Sequence, residues 1–83
     1  TKGGETRGKI IDLLMKNPSN ANKIAEVLKL DYKTIRLHLE VLEKNSVITS
    51  INKGKYGAVY FLSAFMEQNT SLFNGIWAQF GKK

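Results

Sequence analysis

With 83 residues, 42% of them hydrophobic and 24% charged, the chain is long enough for one small domain with a single core, and no apolar run approaches the roughly 20 residues that cross a bilayer. The absence of cysteine excludes disulfide frameworks and thiolate metal sites, and it favours a cytoplasmic location. The net charge of +6 favours a polyanionic partner, either nucleic acid or an anionic membrane surface.

The first predicted element is a helix over residues 5–17, which Pro18 would end. Its apolar side chains cover more than half of the helix circumference, and they are Ile10, Ile11, Leu13, Leu14 and Met15. A helix with so broad an apolar surface is expected to pack against two neighbours. The second neighbour could be another part of this chain or a second subunit.

A second helix is predicted over residues 20–28, because Ser19 or Asn20 can cap its N-terminus and apolar residues follow at helical spacing. The inward-facing positions are Ile24, Val27 and Leu28. The joint to the next helix is short, as in a helix-turn-helix, and lacks the glycine often found there. In this joint Leu30 would fill the angle between the helices. Residues 17–20, which precede the second helix, would form a turn or a short extended segment.

The third predicted helix, residues 31–45, is the most strongly patterned segment of the chain. Asp31 is a good N-cap, because its carboxylate can accept hydrogen bonds from the free N–H groups of the first turn. At the other end, Asn45 is suited to a left-handed C-cap. One apolar stripe runs along the helix at i, i+4 and i+7, and it consists of Ile35, Leu39 and Leu42.

The other side of this helix carries charged, hydroxyl and apolar side chains, namely Tyr32, Lys33, Thr34, Arg36 and Leu37. Cations and hydroxyl groups can contact phosphates and base acceptors, while an apolar side chain can contact a thymine methyl group. We therefore interpret the segment as a recognition helix for the major groove of double-stranded DNA. The alternative is a solvated face on a structural three-helix core.

Two runs rich in β-branched and aromatic residues follow within residues 47–62, and a glycine-containing loop joins them. This pattern predicts a β-hairpin. The loop carries Lys53, Lys55 and Tyr56, which could contact phosphates beside the helix or enter the minor groove. They could also be ordinary polar turn residues. A helix-turn-helix followed by a basic hairpin is the winged-helix arrangement, an α+β fold.

The last predicted helix covers residues 64–80, although Gly75 and the polar residues 69–71 also allow a kink or two shorter helices. Its apolar stripe consists of Phe65, Leu72, Phe73, Ile76, Trp77 and Phe80. The stripe could cover the domain's own core, form a dimer interface with Ile11 and Met15 of the first helix, or lie on a membrane. The broad apolar surface of the first helix favours the dimer, and the uncharged polar face argues against the membrane.

No pattern in the sequence indicates catalysis or a cofactor. The single histidine, His38, has no cysteine or carboxylate pair with which to complete a metal site, so we expect it at the edge of the core in a hydrogen bond. The sequence contains no nucleophile–base pair, phosphate-binding loop or paired carboxylates in a catalytic context. We therefore expect a binding protein without enzymatic activity.

Residues 20–45 resemble the helix-turn-helix of archaeal ArsR-type winged-helix regulators, above all in residues 31–34 (Asp-Tyr-Lys-Thr) and 38–42 (His-Leu-Glu-Val-Leu). Residues 56–63 are similar to the wing of that family and its return strand. The resemblance implies transcriptional regulation through DNA, usually as a homodimer with the terminal helices at the interface. The metal sensing of many members does not transfer to a chain with no cysteine.

Two positions depart from the family pattern. Relatives often have a polar residue where this chain has Leu37, which affects base preference there. Relatives commonly have glycine where this chain has Ser46, so we expect a strained or differently capped turn into the wing. The main competing function is a winged-helix module that binds proteins inside a larger transcription or replication assembly.

Overall fold

Our computed structural model describes residues 2–52 and 57–69 of the chain. The elements in chain order are α1 (Lys2–Lys16), β1 (Ser19–Asn20), α2 (Ala21–Leu28), α3 (Tyr32–Lys44), β2 (Ile48–Ile51), β3 (Val59–Leu62) and α4 (Ala64–Gln68). The α+β winged-helix arrangement predicted from the sequence is confirmed, since α1 to α3 precede an antiparallel hairpin and a further helix follows it. None of the helices in the described ranges is long and apolar enough to cross a membrane.

The sheet has three antiparallel strands in the order β1-β3-β2, so β3 lies in the centre. Strands β2 and β3 form the predicted hairpin, with Ile48 opposite Leu62. Strand β1 adds the pair Ser19–Tyr60 on the other edge. The sequence indicated a turn or an extended segment here, because two residues are too few to show the alternation that identifies a strand.

The core lies between α1, α2, α3 and the inner face of the sheet. Its most deeply buried side chains are Ile10, Ile24, Ile35, Leu39 and Ile48. The apolar stripe of α3 is buried as predicted, and Leu42 completes it. In β3 the side chains alternate, with Tyr60 and Leu62 buried and the other two half-buried.

Two positions predicted to face inward are exposed. Val27 is 44% exposed and Leu30 is 38% exposed. At 100° per residue, Val27 lies about 100° away from the face that α2 buries, so it cannot reach the core with its neighbours. The buried side chains of α2 are Ala21, Ile24 and Ala25. Fewer side chains of the helix-turn-helix are therefore buried than the sequence predicted.

Helix α2 ends on a left-handed residue that is not glycine. Lys29 has φ 58°. The N–H of Leu30 donates to the carbonyl of Ala25 at 3.0 Å. The N–H of Lys29 donates to the carbonyl of Glu26 at 3.3 Å. These two bonds form a Schellman motif, which fixes the direction in which the chain leaves α2.

Helix α3 ends in the same way, and here the predicted cap is wrong by one residue. The left-handed residue is Ser46, with φ 62°, whereas Asn45 has φ −95°. The N–H of Val47 donates to the carbonyl of Leu42 at 3.0 Å. The backbone N–H of Asn45 still makes the helical hydrogen bond to the carbonyl of Val41, at 3.1 Å, and its side-chain amide donates to the same carbonyl at 2.8 Å.

The terminal helices differ in length from their predictions. Helix α1 begins at Lys2, before the predicted residue 5. Helix α4 follows its N-cap Ser63, begins at Ala64 and ends at Gln68, and Asn69 after it donates its side-chain amide to the carbonyl of Phe65 at 2.7 Å. An amide that bonds the last helical carbonyls competes with continuation of the helix. Residues 70–80 of the predicted last helix lie outside the described residues.

Candidate nucleic-acid interface

The N-terminus of α3 is fixed by the predicted cap. The Asp31 carboxylate accepts from the backbone N–H of Thr34 and from its hydroxyl group, both at 2.9 Å. These hydrogen bonds hold the pKa of Asp31 below its ordinary value. Because its hydroxyl hydrogen is used in the cap, Thr34 can act toward DNA as an acceptor while this bond lasts.

The outward face of α3 is wide and open. Tyr32 is 47% exposed and Leu37 is 60% exposed, and Lys33 lies exposed between them. The same face continues to Lys44, which is also exposed and which was not among the predicted contacts. The signal for it was present, since Lys33, Leu37 and Lys44 follow at i, i+4 and i+11.

Arg36 lies to one side of this face. It was predicted opposite the apolar stripe, but it is half-buried on the flank of α3 that faces the sheet. Its Nη1 donates to the phenolic oxygen of Tyr60 at 3.2 Å. Two helical turns further along the same flank of α3, Glu43 accepts a hydrogen bond from the Ser50 hydroxyl at 2.9 Å. Sequence reasoning missed both partners, because nothing local in the strands indicates which helix flank they meet.

A cavity of about 180 Å³ opens between α2, α3 and the end of the hairpin. It is lined by Asn20, Ala21, Asn22, Tyr32, Arg36, Gly57, Ala58 and Tyr60. The start of α2 is capped by Asn20, whose side chain accepts from the N–H of Lys23 at 2.8 Å. The cavity thus joins a guanidinium group, two phenol rings and the positive end of a helix at the edge of the exposed face.

The opposite flank of α3 faces α1. There, Nη1 of Arg7 lies 3.3 Å from Nδ1 of His38. Burial first, and then the nearby Arg7 charge, lower the pKa of His38. A neutral imidazole with Nδ1 as the acceptor fits this contact. The expected hydrogen-bonded histidine at the core edge is confirmed, and within the described ranges no group of three or more metal-ligating side chains is found.

Several predicted site residues lie outside the described part of the chain, namely Lys53, Lys55 and Tyr56 of the loop and Leu72, Phe73, Ile76, Trp77 and Phe80 of the last segment. Three residues predicted at a dimer interface are described. Phe65 is 67% exposed, Met15 is half-buried, and Ile11 is 7% exposed within the core. Phe65 therefore offers surface to a partner, whereas Ile11 has little left to offer.

A three-helix unit with an exposed third helix, followed by an antiparallel hairpin, defines a winged helix-turn-helix protein. Residues 4–50 match the family model described as bacterial regulatory protein, arsR family. The match covers more than half of the chain, and the chain therefore belongs to the ArsR family. It is a DNA-binding transcriptional regulator.

Solved structures share this fold. The Zα domain of PKZ from Carassius auratus, in complex with Z-DNA, is 30% identical, with a TM-score of 0.69 over 75% of this chain and 98% of that one. The reduced transcriptional regulator YodB from B. subtilis is 25% identical, with a TM-score of 0.71 over 89% and 78%. A variant of ZitR from Lactococcus lactis is 22% identical, with a TM-score of 0.66 over 90% and 60%, and shows the fold alone. No curated protein sequence matches the chain.

Proposed function

We propose that this regulator binds double-stranded DNA sequence-specifically, as a homodimer, with α3 in the major groove and the wing on the flanking backbone. It acts in the cytoplasm by binding alone, without catalysis and without a metal or cofactor. The observation that carries the proposal is the exposed face of α3, where Tyr32, Lys33 and Leu37 stand next to Arg36.

The dimensions and chemistry of α3 suit the major groove. A helix is about 10–12 Å across with its side chains, and the groove is about 12 Å wide. Lys33 can contact a phosphate, Arg36 can donate to phosphate or to guanine acceptors, and Leu37 can contact a thymine methyl group. The leucine makes an A·T pair the expected preference at its position, through contact with the thymine methyl group.

The wing contact is supported by charge. Lys53 and Lys55 stand in the sequence between β2 and β3, and the chain as a whole carries +6. Cations beside a recognition helix add phosphate contacts that increase affinity on every sequence and make it depend on salt. Lys53, Lys55 and Tyr56 are therefore proposed as backbone contacts.

The homodimer is supported by the exposed Phe65 and by the apolar spacing of the residues that follow it in the sequence. In a symmetric dimer, two copies of α3 would meet half-sites one helical turn apart, about 34 Å, or a multiple of that distance. The residue patterns at positions 31–34 and 38–42 support an archaeal member of the family.

The test is a titration of labelled mixed-sequence duplex DNA, followed by fluorescence anisotropy at several salt concentrations. We expect affinity to fall steeply with salt, with a logarithmic slope of about −0.9 for each phosphate contacted. Selection from a random duplex pool should then enrich a two-fold symmetric site. Light scattering should give the mass of two chains, and a single chain at assay concentration would contradict the dimer.

Absence of binding even at low salt would refute the DNA proposal and favour the protein-docking module, whose partner would be sought with the same α3 face.

A second candidate is recognition of left-handed DNA, because the similarity to the Zα domain extends over 98% of that domain. An alternating dC-dG duplex locked in the left-handed form tests it. Tighter binding to that duplex than to right-handed DNA of the same sequence would replace the major-groove proposal.

A further inference from the structure

One buried tyrosine stands behind the DNA-facing surface of α3. Tyr60 is 2% exposed and belongs to β3, the central strand of the sheet. Its backbone is opposite Ser19 of β1 on one side and Ser50 of β2 on the other. Because a residue paired on both sides has a fixed backbone, the sheet sets the direction of its ring.

The hydroxyl group of Tyr60 has a use that packing does not explain. A phenylalanine would bury the same ring, whereas a buried hydroxyl is costly unless it finds a partner. The partner is Arg36, whose Nη1 donates to the phenolic oxygen at 3.2 Å. Within residues 2–52 and 57–69 this is the only hydrogen bond that either side chain makes.

The contact restricts a side chain that would otherwise be free to move. Arginine loses much rotamer freedom when it is held in one orientation, and that loss weakens any binding in which the ordering occurs. In this protein the ordering precedes binding, because one guanidinium nitrogen is already bound to a rigid acceptor. The planar group keeps its remaining donors for a ligand, at the cavity that Arg36 and Tyr60 both line.

We propose that Tyr60 is a positioning residue for DNA binding: its hydroxyl holds the Arg36 guanidinium in the orientation in which Arg36 contacts DNA. Tyr60 itself does not touch the nucleic acid, because it is buried. The inference rests on the proposed function, in which Arg36 is a DNA contact. The opposing interpretation is that Arg36 merely satisfies a buried hydroxyl and adds nothing to binding.

A double-mutant cycle in DNA affinity separates these interpretations. Tyr60→Phe removes the hydroxyl and keeps the ring, and we expect it to weaken binding by about twofold to tenfold, the worth of one hydrogen bond. Arg36→Ala should weaken binding more. Adding Tyr60→Phe to Arg36→Ala should then change affinity by less than about twofold, because the hydroxyl acts through the arginine.

A second hydrogen bond between α3 and the sheet supplies the matched control. Ser50 donates to Glu43 on the same flank, whereas Arg36 donates to Tyr60, so the two hydrogen bonds share no side chain. If loosening α3 from the sheet were enough to weaken binding, Ser50→Ala would act as Tyr60→Phe does. We expect Ser50→Ala to leave affinity within about twofold of wild type, and thermal melting of every variant identifies any loss of fold.

A readout on the free protein measures the positioning itself. The chain has two arginines, Arg7 and Arg36, so their guanidinium ¹⁵N signals can be assigned with little overlap. Tyr60→Phe should speed the rotation of the Arg36 guanidinium and leave that of Arg7 unchanged. The inference is wrong if Arg36 is equally ordered in both proteins, or if Tyr60→Phe costs the same affinity with and without Arg36. If the wild-type protein binds no duplex DNA at all, the proposed function itself is wrong, whatever the NMR measurement shows.

Discussion

The two arginines of this protein make similar contacts on opposite flanks of α3. Arg7 reaches from α1 to Nδ1 of His38 at 3.3 Å, and Arg36 reaches from α3 to the phenol of Tyr60 at 3.2 Å. Both are guanidinium groups bound to an uncharged aromatic acceptor. They differ in the acceptor and in what lies beside them, since only the Arg36 contact adjoins the cavity at the proposed DNA surface.

The acceptors respond differently to pH. The imidazole of His38 can accept only while it is neutral, whereas a phenolic oxygen has an acceptor lone pair whether or not its proton is present. The Arg7 contact therefore joins two helices in a way that acid can weaken. The Arg36 contact orders the side chain that we propose as a DNA contact, and it does not depend on a neutral imidazole. Under the proposed function, the same chemical group has a packing role on one flank and a recognition role on the other.

The largest expected effect is on the free energy of unfolding, from a substitution in the buried stripe that lies between the two flanks. Leu39 is 1% exposed and lies on the buried stripe between them. Leu39→Ala should lower the free energy of unfolding by about 2–5 kcal/mol, through lost burial and the cavity left behind. Urea denaturation measures this. Leu37, on the same helix but 60% exposed, is the matched control, and Leu37→Ala should stay within about 0.5 kcal/mol of wild type.

The next effect separates the flanks by function. Arg36→Ala should weaken specific DNA binding by about 1–3 kcal/mol, or roughly fivefold to 150-fold, because a direct donor to DNA is lost. Arg7→Ala removes the same charge and should change affinity by less than about twofold at low salt. Anisotropy titrations on the same duplex measure both. Equal losses in the two variants would mean that general charge, and not position, explains the binding.

A smaller effect on the free energy of unfolding is expected from a substitution that leaves both arginine contacts in place. Ser46 follows α3 with φ 62°, a conformation that costs a side-chain-bearing residue about 1 kcal/mol. Ser46→Gly should raise the free energy of unfolding by about that amount without altering DNA affinity. Asn45→Gly is the control, since φ −95° offers nothing for glycine to relieve and the bond to Val41 is lost. Stabilisation by Asn45→Gly would contradict the observed cap.

The smallest effect is the pH dependence of the Arg7 flank. The folded protein lowers the pKa of His38 from 6.5, so between the two pKa values the unfolded chain binds more protons. This contribution to stability is complete above about pH 6.5 and decreases as pH falls toward the folded pKa. His38→Gln should remove the dependence in that window. Asp31, whose pKa is also lowered, loses its contribution separately, as pH falls below 3.8.

The predicted site is divided between what a helix pattern can show and what it cannot. The exposed positions of Tyr32, Lys33 and Leu37 follow from spacing alone, and the structure places them as expected. Arg36 was assigned to the same face, but it is turned toward the sheet by a partner 24 residues away. A helical wheel gives the direction of a Cα–Cβ bond, whereas a long flexible side chain follows whichever acceptor is near.

The sequence by itself determined the features that depend on neighbours within one or two helical turns. These are the buried stripe of α3, the Asp31 cap and the hairpin. Periodicity and capping chemistry are local, so they are visible in a single sequence. The position of β1 against β3 and the partners of both arginines were decided by tertiary structure. Each depends on which element packs alongside, and local residue preferences carry no information about that.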